Sequence, residues 1–202
     1  MVSHSQRTFL VNAVTGSRLV LAVGVAALTP WARDERWAII IATALVLLVE
    51  LTDLVDGYLA RRHGVVSDWG KMFDPYSDSI ARLTIYWSLA VVSRCWVVLP
   101  LVMAVRDVTV GYARILMTRQ GQSVAARYTG KLKAFVQGAG ALVLISGPLW
   151  WGSPQGTVRA VVFHTVSALV LAITATSMFD YAAAAFRRPK GQANHDDTTS
   201  TT

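Results

Sequence analysis

Six long apolar stretches restrict what this chain can fold into. They lie at residues 9–29, 37–61, 75–97, 98–118, 132–150 and 157–186. Each approaches or exceeds the roughly 20 residues that an α-helix needs to cross a bilayer. Backbone groups within lipid must be hydrogen-bonded inside the protein, so these stretches predict helices. We therefore expect an all-α integral membrane protein with six transmembrane helices.

The composition agrees with a membrane protein. Hydrophobic residues make up 53% of the 202 residues and charged residues only 15%, whereas soluble domains have about 25% charged residues. The net charge is +7, which in membrane proteins marks loops that face anionic lipid. No nucleic-acid motif accompanies the positive charge, so we do not expect nucleic-acid binding. Cys95 is the only cysteine, which excludes an internal disulfide.

The first apolar stretch resembles a signal peptide in position only. Asn12, Thr15 and Arg18 interrupt it, and later stretches would hold the chain in the membrane, so we expect a retained helix. With six spans, the basic residues are concentrated on one side, which should be cytoplasmic together with both termini. We expect one membrane domain over residues 1–186. The basic, Thr/Ser-rich segment 187–202 is predicted to be disordered.

Four aspartates stand at the facing ends of the second and third predicted helices. Asp53 and Asp56 are three residues apart, and Asp74 and Asp78 are four apart, so each pair shares a helix face. The loop between the helices is short, which predicts antiparallel neighbours with the two pairs converging. Ionisable residues inside a span cost about 2.5–3.5 kcal/mol and indicate function.

Clustered carboxylates repel one another unless cations lie between them. Mg²⁺ prefers oxygen ligands and often binds substrate phosphates as well, and a pair of such ions can stabilise charge on attacking and leaving oxygens. Gly57 and Ala60 leave room for a phosphate or nucleotide beside the acids, and Arg61 could pair with a phosphate. The alternative is ion pairing of the acids at the membrane surface with Arg61, Arg62, Lys71 and Arg82.

This arrangement resembles the signature of the CDP-alcohol phosphotransferase family: Asp53, Asp56 and Gly57, then Ala60-Arg61, then Gly70, Asp74 and Asp78. The resemblance implies a six-helix membrane enzyme, usually a homodimer in the bacterial plasma membrane, with a polar cavity on the cytoplasmic side. It implies two ions, Mg²⁺ or Mn²⁺, on Asp53, Asp56, Asp74 and Asp78, with Asp78 as general base. The donor pocket would include Asp56, Gly57, Ala60, Arg61 and Gly70, together with Thr15 and Arg18, for which surface snorkelling of the arginine is the alternative.

A cationic cluster would be needed to bind a phosphorylated acceptor. Arg106 and Arg114 lie two turns apart, about 12 Å, and Lys131 and Lys133 begin the fifth predicted helix on the same membrane side. Arginine suits a phosphate dianion and lysine adds point charge. We therefore predict that these four residues bind the acceptor phosphate, with ordinary positive-inside decoration as the alternative.

The second half of the chain resembles bacterial phosphatidylglycerophosphate synthases over Arg106-Asp107, Gly130-Lys131 and Ser177–Tyr181. That resemblance implies transfer of a phosphatidyl group from CDP-diacylglycerol to glycerol 3-phosphate with release of CMP. Three positions depart from the usual pattern, because the subfamily has Glu at Asp107, Lys at Ser79 and Thr at Ala134. Inositol phosphate or a phospholipid acceptor, as in a cardiolipin synthase, therefore stays open. A divalent-cation transporter and a non-catalytic scaffold are the alternatives from other classes.

Overall fold

Six α-helices account for most of the chain that the structure describes. The structure is a computed structural model, and it describes residues 4–63, 68–119, 128–151 and 156–186. For residues 4–12, 14, 53–63 and 68–72 it describes the backbone alone. The helices are α1 His4–Leu28, α2 Arg36–His63, α3 Asp68–Val91, α4 Val98–Arg119, α5 Tyr128–Ser146 and α6 Thr157–Ala185. Short 3₁₀ helices, Trp31–Arg33 and Gly147–Leu149, follow α1 and α5. The predicted all-helical fold is confirmed over these residues.

The third helix differs most from its predicted span, 75–97. It begins seven residues earlier and ends at Val91, because the chain turns there through a left-handed residue, Ser93, at φ 56°. The N–H of Ser93 bonds to the carbonyl of Ala90, and the N–H of Arg94 bonds to the carbonyl of Leu89. This pair of bonds is the Schellman arrangement that caps helix C-termini. The early start places Asp74 and Asp78 inside α3 instead of at its tip.

The core lies where all six helices meet, and α4 contributes Leu99 and Met103 to it. Helix α1 packs against both α2 and α3, while α6 packs against α4 and α5. Alanines at the helix contacts allow close approach, as is common between membrane helices. Fully buried members of this core are Val25, Val46, Leu89, Leu99, Leu144 and Val170.

Two helical segments are long and apolar enough to cross a membrane, as judged by length and composition over the described residues. They are Tyr128–Leu149 and Thr157–Ala185. Helix α4 carries Arg106, Asp107, Arg114 and Arg119, so its charged residues keep it from meeting the same criterion. Large apolar side chains such as Val20, Leu101 and Phe179 are nevertheless exposed on the outer surface, which is typical of a surface that contacts lipid or protein.

Candidate active site

One end of the helical bundle contains a cavity of about 790 Å³. It lies where α3 and α5 begin and where α4 and α6 end. Six of the predicted site residues line it: Asp74, Asp78, Arg106, Arg114, Lys131 and Lys133. The structure therefore brings two of the predicted metal-binding aspartates and the whole predicted acceptor cluster to a single cavity.

Arg18 connects α1 to the aspartates of α3. Its Nη1 atom lies 3.5 Å from Asp74 Oδ1 and 3.9 Å from Asp78 Oδ1. The Arg18 side chain is fully buried, as is most of Thr15 one turn earlier. The alternative that Arg18 snorkels to the membrane surface is therefore wrong. The arginine instead contacts the two aspartates from within the protein.

Arg82 holds Asp78 in place from one turn further along α3. Its Nε atom donates to Asp78 Oδ1 at 2.9 Å, and its Nη2 atom donates to Glu50 Oε2 at 3.1 Å. Its Nη1 atom donates to the carbonyl oxygen of Ala134. A single guanidinium thus joins α2, α3 and α5 beneath the cavity. The contacts that Arg18 and Arg82 make with Asp78 are both to Oδ1.

Gly138 is the residue of α5 that makes room for this network. A Cβ atom there would lie 2.4 Å from Glu50 Oε2, a distance that real Cβ contacts do not reach. The absence of a side chain therefore lets the Glu50 carboxylate lie against α5 and reach Arg82. This glycine therefore accommodates a charged group at the contact between α2 and α5.

Tyr181 positions the two arginines of α4. Arg106 lies over its ring at 5.7 Å from the centroid, and Arg114 at 5.4 Å. These distances are within the range of cation–π attraction. Arg106 Nη2 also donates to Ser177 Oγ at 2.7 Å. Helix α6 therefore fixes the separation of two guanidinium groups whose side chains line the cavity.

Asp107 partly neutralises the cationic side of the cavity. Its Oδ1 atom lies 2.7 Å from Arg106 Nη1 and 3.4 Å from Lys133 Nζ. Lys133 is almost completely buried, and Asp107 provides the negative charge that its buried ammonium group needs. Lys131 is exposed at the cavity rim. Of the four predicted acceptor cations, Arg114 and Lys131 thus have no ion pair with a described residue.

The remaining predicted site residues lie where the structure describes the backbone alone. Asp53, Asp56, Gly57, Ala60 and Arg61 are in the last turns of α2, and Gly70 is in the first turn of α3. Among the described side chains no group of three metal-ligating residues occurs. The four-aspartate cluster therefore stays a prediction. The described part fits a hard divalent ion, because Asp74 and Asp78 present carboxylate oxygens to the cavity and the Asp74 side chain is 53% exposed.

Sequence reasoning missed the roles of Glu50, Arg82 and Tyr181. Glu50 is three residues before Asp53 and on the same helix face, and an acid within an apolar stretch is a functional signal in itself. Arg82 was considered only as an ion-pair partner, and its contact with Asp78 agrees with that alternative. Tyr181 carried no signal beyond its place in the Ser177–Tyr181 segment.

A helical bundle that gathers carboxylates and arginines around one cavity is suited to phosphorylated substrates. Comparison with known proteins agrees with that chemistry. The sequence model of the CDP-alcohol phosphatidyltransferase family matches residues 8–182. The chain belongs to this family of enzymes.

Individual relatives come from several bacteria. A Mycobacterium tuberculosis protein named "Probable phosphatidylglycerophosphate synthase" is 33% identical over 183 residues, which cover 88% of this chain and 82% of the relative. A Treponema pallidum protein named CDP-diacylglycerol–glycerol-3-phosphate 3-phosphatidyltransferase is 36% identical over 104 residues. That match spans 52% of this chain and about half, 48%, of the relative's length. A Rickettsia typhi protein of the same name is 28% identical over 135 residues, 67% of this chain and 76% of the relative.

Proposed function

We propose that this protein is an integral membrane enzyme that transfers a phosphatidyl group from CDP-diacylglycerol to glycerol 3-phosphate. The observation that carries the proposal is the shared cavity, which Asp74 and Asp78 line together with Arg106 and Arg114. A donor pyrophosphate and an acceptor phosphate need such adjacent acidic and cationic regions. Family membership supplies the donor class. The names of the Treponema and Mycobacterium relatives favour glycerol 3-phosphate as acceptor.

The proposed reaction is a displacement at phosphorus. The acceptor hydroxyl oxygen attacks the phosphorus that carries diacylglycerol, and the bond from that phosphorus to the bridging oxygen of CMP breaks. CMP leaves with the bridging oxygen, and the hydroxyl proton passes to Asp78. Arg82 supports this role, because its bond to Oδ1 fixes the carboxylate orientation. A positioned base of this kind contributes about 10²- to 10⁴-fold to a rate.

The donor pyrophosphate requires positive charge beside it. Asp53, Asp56, Asp74 and Asp78 would hold the two divalent ions, Mg²⁺ or Mn²⁺, that the family resemblance implies. When bound, the ions would offset the negative charge that develops on the phosphate oxygens. Arg18 supplies fixed positive charge from α1 next to Asp74. Thr15, Gly57, Ala60, Arg61 and Gly70 complete the proposed donor pocket.

The acceptor phosphate is proposed to bind between α4 and α5. Arg114 and Lys131 are the most available cations, whereas Arg106 and Lys133 share the charge of Asp107. Arginine presents a planar fork that matches phosphate oxygens. The Tyr181 ring holds Arg114 in position without neutralising it. Free serine would make no use of this cluster, which argues for a phosphorylated acceptor.

Replacing Arg114 with alanine should weaken acceptor binding selectively. Loss of a charge-assisted contact should raise the acceptor KM about 10- to 100-fold, while the KM for CDP-diacylglycerol changes little. Steady-state CMP release at varied concentrations of each substrate measures both constants. Arg119→Ala is the matched control, because Arg119 is exposed and lies outside the cavity on the same helix. An equal rise in both KM values for the Arg114 variant would contradict a dedicated phosphate site.

The membrane arrangement is part of the proposal. All six helices would span the bacterial plasma membrane, with the site cavity and both termini on the cytoplasmic side. The bias of Lys and Arg toward the loops at that end supports this orientation. A cytoplasmic cavity also admits water-soluble acceptors and releases CMP into the compartment where nucleotides are used. The homodimer rests on the family resemblance alone.

The deciding experiment is CMP release by the purified protein with CDP-diacylglycerol and Mg²⁺ across several acceptors. These are glycerol 3-phosphate, inositol 1-phosphate, serine and phosphatidylglycerol. Turnover with glycerol 3-phosphate alone supports the proposal in full. Turnover with another acceptor keeps the reaction and reassigns the cationic pocket. No CMP release with any acceptor, from folded protein that binds metal, contradicts the proposed activity.

A further inference from the structure

A second cavity, of about 520 Å³, lies at the opposite end of the bundle. It is formed where three turns meet: the turns from α1 to α2, from α3 to α4 and from α5 to α6. We call it the arginine pocket, because its polar lining consists largely of Arg33, Arg36, Arg94 and Arg159, with Asp34 as the one acid. The proposed reaction does not use these residues.

Arginines outnumber acids in the described lining of the pocket. Arg33, Asp34 and Arg36 are exposed and make no ion pair with a described residue. The lining holds one carboxylate among four guanidinium groups, and Glu35 is exposed in the same turn, so positive charge still exceeds negative charge and the pocket favours an anion over a cation. Burial and the nearby charge of Arg159 lower the pKa of Arg94 to about 10. Arg94 therefore stays positively charged at neutral pH.

The pocket is also rigidly built. Arg94 Nη1 donates to the carbonyl oxygen of Ile145 at 3.0 Å, and Nη2 donates to the carbonyl oxygen of Ala32. This buried guanidinium connects the three turns. Because its hydrogen bonds are made to the protein backbone, we do not assign Arg94 to ligand binding. Arg33 and Arg36 remain as the exposed groups that can contact one. The apolar part of the lining includes Leu149 and Trp151.

Tryptophans are concentrated at this end of the bundle. Five of the seven tryptophans stand in or beside the three turns: Trp31, Trp37, Trp96, Trp150 and Trp151. Trp31, Trp37 and Trp150 are 57%, 50% and 52% exposed. Tryptophan is enriched at the head-group level of membranes, where its ring is in contact with both lipid and water. A cationic pocket among them would face phospholipid head groups.

We infer that the arginine pocket binds the phosphate of an anionic phospholipid head group. Guanidinium groups recognise phosphate oxygens through planar paired hydrogen bonds, and the apolar wall at Leu149 and Trp151 can contact the glycerol and upper acyl chain. Phosphatidylglycerol carries the required net negative charge, whereas phosphatidylcholine carries the same phosphate with a compensating cation. The inference goes beyond the proposed reaction, because it concerns the other end of the molecule and holds whatever the acceptor is.

Native mass spectrometry of the purified protein with short-chain lipids tests the inference. Wild-type protein should bind phosphatidylglycerol about 10-fold more tightly than phosphatidylcholine. The double variant Arg33→Gln with Arg36→Gln should reduce that preference to about 2-fold or less. Both side chains are exposed, so the variant should fold normally. The control is Arg119→Gln, which removes an exposed positive charge at the other end of the bundle and should keep the preference.

The experiment must distinguish phosphatidylglycerol bound in the site cavity from phosphatidylglycerol bound in the arginine pocket. Arg114→Ala should keep the preference for the anionic lipid, because it alters only the site cavity. Loss of the preference in Arg114→Ala, with retention in the Arg33/Arg36 double variant, would overturn the inference. An unchanged preference in the double variant would overturn it as well. If inorganic phosphate displaced the lipid from the wild type but not from the double variant, the pocket would be an anion site. Its ligand would then be a free anion and not a lipid head group.

Discussion

Replacing Asp78 with asparagine is expected to lower the rate of CMP release by about 10²- to 10⁴-fold and to leave the bundle folded. Asparagine has nearly the shape of aspartate, and its amide oxygen can still accept the hydrogen bond from Arg82 Nε. It cannot take a proton from the acceptor hydroxyl. The KM values for donor and acceptor should therefore change much less than kcat. Steady-state kinetics and a thermal melt of the same preparation measure the two effects.

The Asp78 variant also distinguishes two possible roles of this residue, general base and metal ligand. If Asp78 acts mainly as base, raising the Mg²⁺ concentration should not restore turnover. Restoration by Mg²⁺ would assign the residue to metal binding, and turnover near that of the wild type would rule out both roles. Glu35→Gln is the control, because this exposed acid lies at the opposite end of the bundle. It should leave turnover and the melting temperature unchanged.

The helices could be predicted because a single physical constraint dominates the sequence. Apolar stretches long enough for a bilayer leave few alternatives to a helix, and each of the six predicted stretches overlaps one observed helix. The ends were harder to predict. The turn after Val91 depends on two local hydrogen bonds and on a left-handed Ser93, a conformation in which glycine would be expected. The polar pair Ser93-Arg94 interrupts the apolar run there, but Pro100 offers a second possible turn, so the sequence does not place the turn at one residue.

The site could be predicted only where residue spacing along a helix determines it. Asp74 and Asp78 share a face because they are four residues apart, and Arg106 and Arg114 because they are eight apart. Contacts between helices depend on rotation and depth, which the sequence does not give. The approach of Glu50 to Arg82 depends on the missing side chain at Gly138. Likewise, Tyr181 reaches both arginines only because α6 packs against α4.

Arg82 joins three helices through contacts of this kind, so its loss should affect both stability and catalysis. Its side chain is only 4% exposed and it bonds to Asp78, Glu50 and the Ala134 carbonyl. Arg82→Ala would remove the one cation that the partly buried Asp78 and Glu50 carboxylates both contact among the described residues. Removing one partner of a buried ion pair costs about 3–5 kcal/mol. We therefore expect a large fall in melting temperature and poor recovery of folded protein.

Arg82→Lys distinguishes positioning of Asp78 from general support of the fold. Lysine keeps the charge but presents a single ammonium, which cannot reproduce three bonds that diverge from one guanidinium plane. Much of the stability should return. The Asp78 carboxylate, however, would lose its fixed orientation, and a misplaced catalytic group can cost about 10²-fold in rate. The expected result is a lower kcat with KM values close to those of the wild type.

Arg94 offers the matched comparison at the other end of the bundle. It is equally buried and also donates to backbone carbonyls, those of Ile145 and Ala32, but it lies far from the site cavity. Arg94→Lys should therefore lower the melting temperature without lowering kcat per folded molecule. If both lysine variants reduced kcat in proportion to their loss of stability, Arg82 would have no role beyond the fold. A loss of kcat confined to Arg82→Lys would mean that the guanidinium acts through the carboxylate it orients.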